Sequence, residues 1–126
     1  MNNIIKLLTS LGIDSIANAT IAVDFDYTLC HSNYPECGEP NQKVVNLVKE
    51  LKSQDATLIL WTCREGIPLG RAIIWCKEQG LTFDHINSNS PIRNAIYGGD
   101  CRKVGADIYI DDRAFPPSYF EKEEIM

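Results

Sequence analysis

Thr20-Ile-Ala-Val-Asp-Phe-Asp-Tyr-Thr-Leu29 is the segment on which the fold turns. Its first six residues, 20–25, lack the polar alternation of a half-exposed strand. They read as a strand buried on both faces, the kind that sits inside a parallel sheet. Two aspartates, Asp24 and Asp26, stand where that strand runs out. Working outward, Thr57-Leu-Ile-Leu-Trp61 is a second buried strand, residues 82–86 are a weaker one, and Asp107-Ile-Tyr-Ile110 is the last. Between them a helix near 41–54, with Asn41 as its cap, turns Val44, Leu47, Val48 and Leu51 inward. Another, near 67–79, turns Leu69, Ala72, Ile73 and Cys76 inward and stops at Gly80. An N-terminal helix over 2–12 carries Ile4, Leu7, Leu8 and Leu11 on one face. Residues 26–40 and 87–102, rich in Asn, Ser, Pro and Gly, read as loops.

Strands alternating with helices predict a three-layer, Rossmann-like α/β fold, a parallel sheet with helices on both faces. The 126 residues suffice for one core and not for two. The expected organisation is a single domain with its core at about 18–115 and a polar, acidic C-terminal tail that is mobile. With 12 basic against 17 acidic residues the net charge is −5, and no basic stripe runs along the chain. This excludes a long polyanionic nucleic acid as partner. Lys6 interrupts the first apolar run, so neither a signal peptide nor a membrane span is read there. The five cysteines, at 30, 37, 63, 76 and 101, form no Cys-x-x-Cys pair and read as reduced thiols of a cytoplasmic protein.

In sheets of this kind ligands gather at the carboxyl ends of the strands. Three groups lie there: Asp24 with Asp26, Thr62 with Cys63 and Arg64, and Asp111 with Asp112. A carboxylate such as Asp24 can attack phosphorus, and a second one, Asp26, can protonate a leaving oxygen and deprotonate water. Paired acids at a strand end call for a cation, and Mg²⁺ prefers such oxygen ligands. Thr62 can donate to a phosphoryl oxygen. Lys103, or its neighbour Arg102, can hold the nucleophile ionised. Arg64 is read as a substrate contact. His31 lies in the loop over the site, and His85, Trp61 and Trp75 read as structural.

The order strand-Asp-x-Asp-x-Thr, strand-Thr, Lys, strand-Asp-Asp resembles the four-part signature of the haloacid dehalogenase (HAD) superfamily. Here it runs Ile21–Leu29, Leu58–Thr62, Lys103, Ile108–Asp112, so the resemblance covers roughly residues 20–113. Trp61-Thr-Cys-Arg-Glu-Gly66 and Ala106–Ala114 are similar to segments of small HAD-like proteins of bacteria and phages, mostly assigned as generic hydrolases. The resemblance implies an HAD-like fold and a Mg²⁺-dependent phosphatase working through an aspartyl-phosphate. Asp24 would be nucleophile and metal ligand. Asp26 would be general acid/base, with its backbone carbonyl on the metal. Thr28, Thr62, Cys63 and Arg64 would meet the substrate, Lys103 would orient nucleophile and phosphate, and Asp111, Asp112 or both would complete the metal site. Tyr27 departs from the pattern, standing where many members have glycine.

Competing chemistries fit worse. None of the residues six places after a cysteine is arginine, as cysteine-dependent phosphatases require. A receiver domain places its acidic pair early and its lysine late, the reverse of the order here. A non-catalytic or regulatory phosphate- or metal-binding module on the same scaffold is the alternative. The intervals Asp26–Thr62 and Thr62–Lys103 are too short for a large cap domain. An open site is therefore expected, closed by a bulky phosphorylated substrate of unidentified structure or by a partner subunit in a homo-oligomer.

Overall fold

The computed structural model describes residues 1–114 and 117. In chain order the elements are α1 (Asn2–Ser10), a 3-10 turn (Ile16–Asn18), β1 (Thr20–Val23), β2 (Cys30–Asn33), β3 (Glu36–Pro40), α2 (Gln42–Ser53), β4 (Thr57–Leu60), α3 (Gly66–Glu78), β5 (His85–Ile86), α4 (Pro91–Tyr97) and β6 (Ile108–Ile110). Four strands form one sheet in the order β5-β4-β1-β6, and every pairing in it is parallel. Ile21 lies opposite both Leu58 and Ile108, so β1 is central and buried, as its uninterrupted apolar run requires.

Side chains alternate across the sheet and split the core in two. Ile21, Val23, Leu58, Leu60 and Ile108 join Val45, Val48 and Leu51 of α2, Ala72, Trp75 and Cys76 of α3, and Leu8 of α1. Ala22, Ile59 and Val104 form a smaller cluster on the other face, with Trp61 and Tyr109 against it. Right-handed crossovers explain the division. The path β1-α2-β4-α3-β5 keeps moving one way, so both helices cover one face. The return from β5 to β6 passes β1 in the opposite sense and lays α4 over the other. The chain reverses between β1 and β6, the switch point where such sheets bind ligands.

The three-layer α/β architecture is therefore present, with unequal layers. α4 buries none of its residues, and Ile92, Ile96 and Tyr97 are largely exposed. A groove of about 560 Å³ runs between it and the sheet residues Thr57, Ile59 and His85. No large cap domain interrupts the sheet among the described residues. None of their helices is long and apolar enough to cross a membrane. The acidic tail from 118 onward, expected to be mobile, lies outside the described residues.

Several expectations need correction. Residues 26–40 are not all loop: β2 and β3 pair antiparallel, with a register shift between His31 and Asn33. Gly38 permits the close approach, since a Cβ there would run into the His31 carbonyl. Residues 87–102 contain α4, which starts on Ser90, whose side chain accepts from Arg93 N, followed by Pro91, and ends at Gly98 with φ 80°. In α1, which ends at Ser10, Leu8 is buried but Leu7 and Leu11 face solvent. α2 has Asn41 at its cap position without a side-chain hydrogen bond, and it fully buries Val45 with Val48 and Leu51, while Val44 and Leu47 pack half-buried against the same core.

Candidate active site

The site is assembled by the ends of β1 and β6. Asp24 N donates to Ile110 O at 2.9 Å, which brings Asp24 level with the residues that follow β6. Carboxylate oxygens of Asp24, Asp111 and Asp112 consequently lie within 4.8 Å of one another. Thr28 ties them together. Its hydroxyl stands 3.1 Å from Asp24 Oδ2 and 3.3 Å from Asp112 Oδ1, and it accepts from Asp112 N at 3.0 Å. A tight turn delivers it there: Thr28 N, Leu29 N and Cys30 N all donate to Phe25 O. Thr28 is only 4% exposed, so it organises the acids and is not the substrate contact expected of it.

Burial, and after it the neighbouring Asp111 charge, push the Asp24 carboxyl up to about 7. The donor set is all oxygen, and the described cation paired with it is Arg113, an exposed side chain whose Nε stands 3.9 Å from Asp112 Oδ2. Such a set fits a hard divalent ion: Asp24, Asp111 and Asp112 are the residues that would hold it. Asp111 and Asp112 are solvent-exposed, leaving room for the waters Mg²⁺ retains.

Asp26 is directed elsewhere. Arg64 Nε donates to its Oδ2 at 2.9 Å and Nη2 to its Oδ1 at 2.7 Å. Nη1 of the same guanidinium reaches Pro35 O at 2.9 Å and Pro68 O at 3.1 Å, joining the hairpin to α3. The Phe25 and Tyr34 rings pack on it, with centroids 4.9 and 5.1 Å from Cζ. The Arg64 side chain is 1% exposed. It is therefore an internal strut beneath Asp26 instead of the substrate contact expected of it. Burial alone would raise Asp26, but the Arg64 guanidinium prevails and holds the carboxyl below its ordinary value. The Asp26 carboxylate is also outside the three-acid cluster.

Thr62 and Cys63 follow β4, next to β1. Thr62 Oγ1 accepts from Arg64 N at 3.1 Å and donates to no described residue, leaving its proton for a ligand oxygen. Its backbone N–H is held at 2.8 Å by Asn87 Oδ1. Asn87 has φ 53°, and its contribution was not read from the sequence; an asparagine just beyond β5 was the available signal. Cys63 is exposed. Lys103 is not paired with Asp24. Its Nζ lies 5.0 Å from the Tyr109 ring centroid, and it forms no ion pair with a described carboxylate. Lys103 follows a loop that returns on the second face, and this separates it from Asp24. Arg102 is likewise exposed and unpaired among the described residues.

Among solved structures, the chain is similar to a conserved protein coded by a locus of Bacteroides thetaiotaomicron. The two are 39% identical with a TM-score of 0.68, over 84% of this chain and 93% of that one. The chain belongs to that protein's family. No protein-family model and no curated protein matches the chain.

Proposed function

We propose that this protein is a Mg²⁺-dependent phosphohydrolase of HAD type that works through an aspartyl-phosphate on Asp24. One observation carries the reading: three carboxylates converge at the switch point of a parallel sheet, and the half-buried one directly follows the central strand. The motif order noted in the sequence supports it. A Mg²⁺ ion held by Asp24, Asp111 and Asp112 would neutralise phosphate charge. An Asp24 oxygen attacks phosphorus, the bond from phosphorus to the leaving oxygen breaks, and that oxygen takes up a proton from solvent in the open site. Water then attacks phosphorus, gives up a proton and frees Asp24. Asp26, held ionised by Arg64, suits the second step best, accepting the proton of the attacking water. Thr62 donates to a phosphoryl oxygen. The substrate is a phosphorylated compound, and the five unpaired thiols favour a cytoplasmic setting.

The test is hydrolysis of p-nitrophenyl phosphate with Mg²⁺, with Ca²⁺ and with chelator. Turnover is expected with Mg²⁺, is weak with Ca²⁺, whose looser coordination misplaces the nucleophile, and is absent with chelator. Full turnover in chelator overturns the reading. A second reading, a non-catalytic metal- or phosphate-binding module, is favoured by the position of Lys103 over Tyr109 instead of beside Asp24. It requires Mg²⁺ binding without turnover.

A further inference from the structure

Three described residues other than glycine have positive φ: Tyr27 at 64°, Asp55 at 67° and Asn87 at 53°. Short polar side chains adopt this conformation readily because they can bond locally, and Asp55 and Asn87 are of that kind. A bulky ring has no such recourse, which makes Tyr27 a true outlier. Its backbone is fixed by the bond from Tyr27 N to Cys30 O at 2.8 Å, inside the turn gathered on Phe25 O. The Tyr27 side chain is 50% exposed, and no hydrogen bond or ring contact to a described residue involves it. In sequence it sits between Asp26 and Thr28, both parts of the site. Tyr34, 57% exposed, backs onto Arg64, which holds Asp26. Exposed phenol rings thus belong to the residue after Asp26 and to the residue packed on its Arg64 partner. The grooves elsewhere in the fold are lined by other residues and include none of the three clustered acids.

We infer that Tyr27 is the specificity element of the open site, a rim on which a planar organic group next to the ligand's phosphate stacks. This rests on the phosphohydrolase reading and names its substrate class: phosphate esters or anhydrides carrying an aromatic or nucleobase-like group within stacking reach. Strain held at an exposed ring beside the reacting groups is the kind of backbone outlier that accompanies function. With no cap domain to supply contacts, ring stacking is the available source of discrimination.

The experiment measures binding, separately from turnover. Phenylphosphonate and methylphosphonate, neither of which is hydrolysed, are titrated calorimetrically into the full chain with Mg²⁺, alongside melting temperatures of each variant. Wild type and Tyr27→Phe are expected to bind phenylphosphonate roughly tenfold more tightly than methylphosphonate. Tyr27→Gly, which relieves the strain, should bind the two about equally and melt no lower than wild type. Equal binding of both by wild type, or a preference retained in Tyr27→Gly, overturns the inference and leaves the phosphohydrolase reading intact. A Tyr27→Gly protein that melts lower and loses both ligands alike also overturns it, since the ring would then be structural. Binding of neither phosphonate overturns the inference too, and Mg²⁺-dependent turnover of p-nitrophenyl phosphate then judges the phosphohydrolase reading separately.

Discussion

A carboxylate pushed up to about 7 is a poor nucleophile until something positive lowers it, and at Asp24 that consideration links metal, pH and stability. The sign is fixed by the direction of the shift. Without metal, the fold holds a proton on Asp24 that the unfolded chain releases above the ordinary value of 3.8. The resulting stabilisation is complete below that value and is lost as pH rises through about 7. A divalent ion takes the place of the proton, so Mg²⁺ should raise the melting temperature more at pH 8 than at pH 5.5. An equal rise at both pH values would show that Asp24 is not a ligand. Asp26 and Arg64 form the second residue-scale test. Arg64→Met leaves a carboxylate and two proline carbonyls without their donor and should cost about 3 kcal/mol in urea unfolding, with turnover falling as Asp26 loses its aim. Arg64→Lys keeps the charge without the two-pronged geometry and should fall between the two. Asp24 and Asp111-Asp112 were legible in the sequence because each sits where an apolar run ends. The strut role of Arg64 was not, because its partner is 38 residues away and no periodicity records the path of a long side chain.

At the scale of elements, legibility followed periodicity. β1, β4 and β6 carry uninterrupted apolar runs, and α2 and α3 have inward stripes, so all five were found with boundaries close to those observed. The hairpin was missed because Cys30-His-Ser-Asn33 buries only Cys30 and Ser32, small side chains that give no hydrophobic alternation. α4 was missed although Ser90, Pro91 and Gly98 are start and stop signals, because it has no buried stripe between them. Two aspartates carry structural work that no motif announced. Asp84 Oδ2 accepts from Leu58 N at 2.8 Å and Asp107 Oδ2 from Thr20 N at 2.7 Å, each clamping the start of a neighbouring strand. The hairpin offers a direct test, because it presents Pro35 O to Arg64. Gly38→Ala drives a Cβ into the His31 carbonyl and should destabilise by about 1–3 kcal/mol with a loss of turnover. A urea midpoint equal to that of wild type would show that the two strands separate freely.

Over the whole molecule, connection rules brought Asp24 and Asp111-Asp112 to one switch point although 87 residues separate the first from the second. That was legible because the order of strands and helices leaves few topologies. The distance of Lys103 from Asp24 was not legible, since it depends on how the 87–106 segment crosses the second face, where the cover is thin. The central claim is that Asp24 accepts phosphate. It is tested most directly by mixing the protein with Mg²⁺ and p-nitrophenyl phosphate, quenching in acid within the first turnover, and locating phosphate by mass spectrometry. Phosphate is predicted on Asp24, and it should be absent from Asp24→Asn and from samples quenched in chelator. Phosphate on Asp26 or on a cysteine, or a label that persists in Asp24→Asn, would contradict the claim.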